Sequence, residues 1–239
     1  MTRRRWIADE VYENSAALVG EHADHLVRVL RARVGQEFDI STGESVRRAR
    51  IASMNPARVE FELGEEVSES VLPEITFLMA VFKFDRMEWA IEKCTELGVF
   101  RIVPVIAHRT DSHLASAATK RVERWQRIAR QSAEQSRRTN APEISAPARL
   151  AEVLNTPKGL RIVLAESEKR TLLRDVLQSD SSCAEIALAV GPEGGWTDDE
   201  LESFKKTDWI SVSLGSTILR AETAAIAATA ILLSAVSSQ

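Results

Sequence analysis

The strongest candidate for chemistry in this sequence is a glycine-rich turn, Gly191-Pro192-Glu193-Gly194-Gly195, between a predicted strand and a predicted helix. The apolar run at 186–190 is typical of a buried strand. Thr197-Asp198-Asp199-Glu200 is a capping-box pattern, which predicts a helix beginning directly after Trp196. Glycines let backbone amides come close to a ligand, and Pro192 makes the turn rigid. Open α/β sheets bind ligands in such turns, although a plain strand-to-helix connection has the same pattern.

Two more strand ends carry polar loops. Residues 214–224 hold Gly215, and they place Arg220 and Glu222 just before an apolar helix rich in alanine. Leu164-Ala165-Glu166 follows another predicted strand. Loop chemistry at three strand ends of one sheet predicts a ligand pocket. The usual nucleotide motifs G-x-G-x-x-G and G-x-x-x-x-G-K-[ST] are missing, which argues against a Rossmann dinucleotide site and a P-loop. A hydrolase elbow G-x-S-x-G is missing too.

The elements that must position these loops fall into two parts. Residues 1–65 are predicted to be mainly β, with a hairpin of strands at 36–41 and 46–52 and a half-buried strand of alternating residues around 59–63. One helical segment, 25–31, interrupts them. Residues 64–73 are polar and acidic and end in proline, which indicates a domain boundary.

Residues 73–239 alternate between strands and helices, which predicts an α/β domain with a largely parallel sheet. Gly98 is well placed to end the first helix. The predicted strands are 75–81, 161–165, 186–190 and 210–214. The predicted helices are 86–97, 120–137, 172–177 and 198–204.

Composition is that of an ordinary globular protein, with 44% hydrophobic and 28% charged residues and a net charge of −4. Residues 120–140 nevertheless hold seven basic residues against two acidic ones, which allows a local contact with nucleic acid. Cys94 and Cys183 lack the spacing of a zinc or redox site, so a reducing cytoplasmic compartment is expected. His108 and His113 have no third ligand nearby, and we expect no metal.

The longest apolar segment, 224–236, is shorter than the roughly 20 residues that a membrane span needs, so no membrane contact is expected. It is predicted to be a buried helix whose alanines let a second helix approach, a plausible dimer contact. Trp89 and Ile91 are predicted core residues. The basic start of the chain lacks a following apolar stretch, so no signal peptide is expected.

At this point the sequence resembles the SPOUT superfamily of methyltransferases, and most closely the RsmE-type enzymes that methylate N3 of a uridine in 16S ribosomal RNA. The resemblance extends over nearly the whole chain. Besides the loops at 191–197 and 214–224, the matching segments are 25–31, Lys83 with 86–88, 95–99, 124–125, 134–138 and Pro142. Each segment alone is unspecific, but their combined spacing is specific.

The resemblance implies a small PUA-like β-barrel RNA-binding domain at 1–72 and a trefoil-knotted methyltransferase domain at 73–239. It also implies a homodimer that acts on the small ribosomal subunit and binds S-adenosyl-L-methionine in the knot. The implied cofactor-binding residues are Leu164, Ala165, Glu166, Gly191, Pro192, Glu193, Gly194, Gly195, Leu214, Gly215, Ile218, Leu219 and Arg220.

Uridine N3 carries a proton and is a poor nucleophile until that proton leaves, so a nearby cation would assist the reaction. Arg220 is the predicted catalytic cation, and Glu222 is predicted to orient it or to act as base. Arginines in the small domain and basic residues near strand ends are predicted to contact RNA phosphates. These residues are Arg3, Arg4, Arg5, Arg28, Arg31, Lys83, Arg109, Arg137 and Arg138.

Two alternatives remain open from the sequence. One is a SPOUT methyltransferase that acts on another RNA, because loops do not disclose specificity. The other is a catalytically inactive RNA-binding ribosome assembly factor that keeps the fold. The intact glycine loops and Arg220 disfavour the inactive protein.

Overall fold

A computed structural model of the chain describes residues 5–67, 74–136, 138–155, 159–179 and 185–236. The chain divides into two compact units. The first extends to Val71 and includes the segment Ala133–Ala141, and the second comprises Leu72–Ser132 and Pro142–Gln239. The sequence placed Ala133–Ala141 in the second domain, whereas its contacts group it with the first unit.

The first unit is built on a six-stranded mixed sheet. Its strands are β1 (Arg5–Ile7), β2 (Glu10–Val11), β3 (Ser15–Val19), β4 (Glu37–Ser41), β5 (Val46–Asn55) and β6 (Arg58–Val67), and a short helix α1 (Glu21–Asp24) follows β3. The strand order is β1-β4-β5-β6-β3-β2. β1 pairs with β4 in parallel, and the other neighbours are antiparallel.

The predicted hairpin is confirmed, because β4 and β5 pair antiparallel on either side of the turn at 42–45. The predicted alternation in β6 is also confirmed, since Val59, Phe61 and Leu63 are buried between exposed glutamates. The segment 64–73, predicted to hold the domain boundary, overlaps β6 at its start, because β6 continues to Val67.

The helix predicted at 25–31 is confirmed only in part. Helical structure begins earlier, in α1, and continues as a π-helical turn over His25–Val29, closed by the bond from the Leu30 N–H to the His25 carbonyl at 3.1 Å. It ends before Arg31, whose φ of 50° lies in the left-handed region, where a helix cannot continue.

The second unit holds a parallel sheet with helices on both faces. Its strands are β7 (Glu74–Ala80), β8 (Arg101–Ile106), β9 (Glu143–Ile144), β10 (Ala148–Arg149), β11 (Leu160–Leu164), β12 (Glu185–Val190) and β13 (Ile210–Val212). The order is β10-β8-β7-β12-β11-β13, and β9 also pairs with β8. The helices are α2 (Phe84–Leu97), α3 (Ser112–Ala117), α4 (Val122–Gln135), α5 (Leu150–Val153), α6 (Leu173–Ser179), α7 (Asp198–Lys206) and α8 (Ala221–Val236), with a 3-10 turn at Ala118–Arg121 before α4.

Each strand near the centre of this sheet is apolar on both faces, as a strand covered on both sides must be. One face packs against α2, α6 and α8 through a core that includes Phe77, Met87 and Leu232. The other face packs against α5 and α7 through a second core that includes Leu78 and Phe204. The prediction of an α/β domain with a parallel sheet is therefore confirmed. Within the described ranges, no helix has the length and apolarity needed to cross a bilayer.

Helix α2 shows how local sequence fixes an element. It ends at Gly98, whose φ of 116° is left-handed and whose N–H bonds to the carbonyls of Cys94 and Thr95, so the predicted stop is confirmed. Ile91 is buried as predicted. The prediction that Trp89 is a core residue is wrong, because it lies off the buried stripe of α2 and its side chain is 49% exposed.

Cys94 gives a first testable prediction. Complete burial raises the pKa of its thiol to about 12, and its Sγ lies 3.6 Å from Thr229 Oγ1. Because only the thiolate is nucleophilic, we expect iodoacetamide at pH 8 to alkylate Cys94 at least about 10³-fold more slowly in the native than in the denatured protein. Mass spectrometry of the Cys94 peptide measures both rates. Equal rates would contradict the burial.

Candidate functional site

Loops that follow the neighbouring strands β12, β11 and β13 surround a cleft of about 860 Å³. The cleft lies at the carboxyl edge of the parallel sheet, where α/β proteins bind their ligands. Its volume is typical of a site for a small molecule or cofactor. The loops are residues 165–169, 191–196 and 213–219.

The structure brings most of the predicted cofactor-binding residues together in the wall of this cleft. Those in the wall are Leu164, Ala165, Glu166, Gly191, Pro192, Gly194, Gly195, Leu214, Gly215, Ile218 and Leu219. Glu193 and Arg220 are not part of the wall, although the neighbours of both are. The three strand ends that the sequence singled out thus meet at one place.

The glycine-rich loop is tightly folded. The Gly195 N–H donates to the Pro192 carbonyl at 2.8 Å, and Gly195 has a φ of 68°, which favours glycine. A Cβ at Gly191 would lie 3.3 Å from the Trp196 indole, so a side chain there would crowd the loop and the cleft. The indole is itself fixed by an edge-on contact with Phe204 at 5.0 Å between ring centroids.

Helix α7 begins directly after this loop, as the capping-box pattern predicted. Thr197 Oγ1 accepts a hydrogen bond from the Glu200 N–H at 3.3 Å, and Glu200 Oε2 accepts one from the Thr197 N–H at 2.8 Å. The two reciprocal bonds fix where the loop ends, and so limit how far its backbone can move.

The loop after β13 is exposed and partly self-braced. Ser213 Oγ accepts a hydrogen bond from the Gly215 N–H at 3.2 Å and donates one to the Gly215 carbonyl at 3.0 Å, while Gly215 has a φ of 138°. Ile218 is 81% exposed at the cleft. Because the Ile218 side chain packs against little of the protein, it is free to cover a ligand bound in the cleft.

Sequence reasoning missed several residues of the cleft wall. They include Ser167, Glu168, Lys169, Leu172, Asp198 and Leu201. Most of them lie in the same strand-end loops, so extending each predicted loop to the next helix would have included them. Glu168 has a bracing role that the sequence did not disclose. The backbone N–H groups of Thr171 and Arg170 bond to its carboxylate and lower the pKa of Glu168.

The two predicted catalytic residues differ in their surroundings. Arg220 is exposed at the start of α8, between Leu219 and Ala221, which both line the cleft. Glu222 is only 3% exposed, with Arg86 Nε 3.8 Å from its Oε1. Glu222 Oε2 is buried without a hydrogen-bond partner among the described residues. The structure therefore places Glu222 beside Arg86 and not in the wall of the cleft.

The predicted RNA contacts are distributed over both units. Arg3, Arg4 and Arg137 lie outside the described residues. Arg5 is half-buried in β1, Arg31 is exposed, and Arg28 is exposed but pairs with Asp24 at 2.7 Å.

Lys83, Arg109 and Arg138 complete that set. Lys83 is exposed at the carboxyl end of β7, at the same edge of the sheet as the cleft. Arg109 lines the cleft itself. Burial lowers the pKa of Arg138 to about 10, so it keeps its charge at neutral pH but offers less of it to solvent. In the described part of the chain, no group of three or more His, Cys, Asp or Glu side chains is arranged to hold a metal ion.

Comparison with known proteins fits this arrangement. Residues 68–233 match the family model of the RNA methyltransferase domain. The chain is 34% identical to the ribosomal RNA small subunit methyltransferase E of Synechocystis, over 90% of this chain and 72% of that protein. It is also 34% identical to the enzyme of the same name from Rickettsia conorii, over 95% and 93% of the two chains.

Among solved structures, a ribosomal RNA small subunit methyltransferase E from Neisseria gonorrhoeae bound to S-adenosyl methionine is similar over 98% of both chains. The TM-score is 0.82 at 27% identity. A parallel sheet with a cleft at its carboxyl edge is typical of the class of α/β proteins that bind a ligand at their strand ends. Within that class, the chain belongs to the RNA methyltransferase family.

Proposed function

We propose that the protein transfers a methyl group from S-adenosylmethionine to N3 of a uridine in the 16S ribosomal RNA of the small subunit. The observation that carries the proposal is the cleft built by three strand-end loops, in a chain that is similar along almost its whole length to a relative bound to that cofactor. The choice of N3 and of uridine rests on the resemblance to RsmE-type enzymes.

The residues of the cleft fit such a cofactor. Gly191 and Gly195 line the cleft without side chains, so their backbone can come close to an adenosine. Glu166 and Lys169 bring charges of both signs to the wall, which suits the ammonium and carboxylate of the methionine part. When bound, S-adenosylmethionine supplies a methyl group already activated on a sulfonium.

The protein then has to align the acceptor and make N3 nucleophilic. Alignment in a fixed site is worth up to about 7–11 kcal/mol of a barrier. We assign Arg220 the stabilisation of the negative charge that develops on the uracil ring as the N3 proton leaves. Its exposed position beside the cleft, and outside the cleft wall, suits contact with the RNA base better than contact with the cofactor. Glu222, buried next to Arg86, is suited to positioning the start of α8.

The first unit is assigned to RNA binding, as a PUA-like domain, and the second to the knotted methyltransferase domain. Phosphate contacts from Arg5, Arg28, Arg31 and Lys83 are part of this proposal. The mixed sheet and the exposure of Arg28 and Arg31 support it.

A homodimer is also part of the proposal. Helices α2 and α8 form an apolar groove of about 480 Å³, whose wall includes the half-exposed Trp89 and the residues Ile226, Ala227 and Ala230. Small residues on α8 leave room for the helix of a second copy. The apolar groove supports an interface between two copies of the chain.

Replacing Ala227 with arginine should break this interface, because a long charged side chain would fill the groove. We expect the mass in solution, measured by light scattering after size exclusion, to fall from about twice 26.5 kDa to 26.5 kDa. Ala227→Ser is the matched control and should remain dimeric. A wild-type protein that is monomeric, or an Ala227→Arg variant that is still dimeric, would contradict a dimer interface at this groove.

Calorimetry with S-adenosylmethionine tests the proposed function against an inactive RNA-binding assembly factor. The proposed function requires that each chain bind one molecule of S-adenosylmethionine in the absence of RNA. Failure of the purified protein to bind S-adenosylmethionine would favour the assembly factor, which needs only RNA.

A further inference from the structure

Arg109 was predicted to contact RNA, but its side chain is engaged with the glycine-rich loop. Its Nη1 donates to the Gly194 carbonyl at 2.7 Å and to the Trp196 carbonyl at 3.3 Å. The two carbonyls lie on the last turn of the loop, on either side of Gly195. A single guanidinium nitrogen therefore bonds to two carbonyls of the loop that lines the cleft.

The aliphatic stem of Arg109 also lies against this loop. A Cβ added at Gly194 would be 3.3 Å from Arg109 Cδ and 3.4 Å from Arg109 Cβ. Such distances are close to the limit of ordinary carbon contacts, so the side chain covers Gly194 closely. A side chain at residue 194 would therefore have to displace this stem slightly.

The turn that carries Arg109 is itself fixed. Thr110 Oγ1 accepts a hydrogen bond from the Ala107 N–H at 3.1 Å and donates one to the Val81 carbonyl at 3.2 Å. The His108 N–H donates to Glu200 Oε1 at 2.8 Å, and Glu200 also caps α7 through its other oxygen. The turn after β8 and the start of α7 thus hold the loop from both sides.

We propose that Arg109 is a positioning residue that holds the Gly191–Trp196 loop in the shape that binds S-adenosylmethionine. This inference rests on the proposed function, since it names the ligand of the same cleft. The contacts favour this role over a phosphate contact, because the guanidinium is bound to carbonyls of the loop and its stem covers Gly194. Arg109 touches the loop and acts on the cofactor through it.

Two substitutions separate loop positioning from a contact with phosphate. Arg109→Met keeps most of the stem but removes the charge and both hydrogen bonds, and Arg109→Lys keeps the charge but not the guanidinium geometry. We expect calorimetry to show about tenfold weaker S-adenosylmethionine binding for both variants, because a hydrogen bond from a charged donor is lost. The KM for S-adenosylmethionine should rise in parallel, while kcat and the affinity for RNA stay within about twofold. Lys206→Met, at an exposed lysine, is the control.

A phosphate contact predicts a different pattern. RNA binding by Arg109→Met would weaken and lose about one unit of its salt slope, Arg109→Lys would retain most of it, and S-adenosylmethionine affinity would not change. That result would overturn the inference. So would a large loss of thermal stability in the ligand-free variants, because it would show a general structural role.

A second test uses Gly194. Gly194→Ala should weaken S-adenosylmethionine binding, because the new methyl group displaces the stem of Arg109. In Arg109→Ala the stem is gone, so adding Gly194→Ala should cost little more, and the two effects should be less than additive. Fully additive effects would contradict the contact. If the wild-type protein does not bind S-adenosylmethionine, both this inference and the proposed function fail. If the wild-type protein binds it and the variants bind it equally well, only this inference fails.

Discussion

Replacing Arg220 with alanine should lower kcat for methyl transfer by about 10²–10³-fold, while the Kd for S-adenosylmethionine changes by less than about threefold. An effect of this size is typical when a group that stabilises developing charge is removed. The side chain is exposed next to the cleft and does not contribute to its wall, so its loss leaves the walls around the cofactor intact. Single-turnover rates and calorimetry measure the two quantities.

The control for this prediction is Lys206→Ala, which removes a positive charge at the far end of α7 and should leave both quantities unchanged. Arg220→Lys should recover part of the rate, because a cation is restored without the planar guanidinium. An Arg220→Ala enzyme with an unchanged rate would rule Arg220 out as a catalytic residue. Loss of cofactor affinity without loss of rate at saturation would assign it to cofactor binding.

Replacing Gly191 with valine should weaken S-adenosylmethionine binding by at least about 100-fold. The position lacks a positive φ, so the backbone accepts a side chain, but its Cβ would lie 3.3 Å from the Trp196 indole. The methyl groups of valine would press on the indole and on the Gly195 backbone, and so displace the loop that lines the cleft. Calorimetry gives the affinity, and circular dichroism shows whether the fold is retained.

Gly191→Ala serves as the graded control for the valine variant. Its single methyl group needs only a small shift of the indole, so we expect an intermediate loss of affinity. A Gly191→Val protein that is folded and binds S-adenosylmethionine like the unchanged chain would show that the cofactor does not occupy this cleft. The variant thus tests the location of the site independently of catalysis.

Much of the parallel sheet was predictable because its strands are short apolar runs that end in recognisable turns. Strand β8 was missed, although it pairs with β7 on one side and with the short edge strands β9 and β10 on the other. Its sequence contains Pro104, which cannot donate a backbone hydrogen bond and argues against an interior strand. Pairing on both sides through the remaining residues outweighs that local signal.

The cleft residues that line it through their backbone were predictable from the sequence. Gly191, Gly195 and Gly215 mark loops at strand ends, and strand ends of one parallel sheet meet at the same edge. The role of Arg109 was not predictable, because it depends on which two strand-end turns become neighbours in space. Likewise, Trp89 is apolar and on a helix, and only the packing of α2 shows that it faces outward.

The most direct test of the account is to supply tritium-labelled S-adenosylmethionine and small ribosomal subunits that lack base methylation. The RNA is then digested and the labelled nucleoside identified. We predict that the label appears in 3-methyluridine, at one position of 16S ribosomal RNA. Absence of label from the RNA, in a protein that binds S-adenosylmethionine, would contradict the proposed substrate.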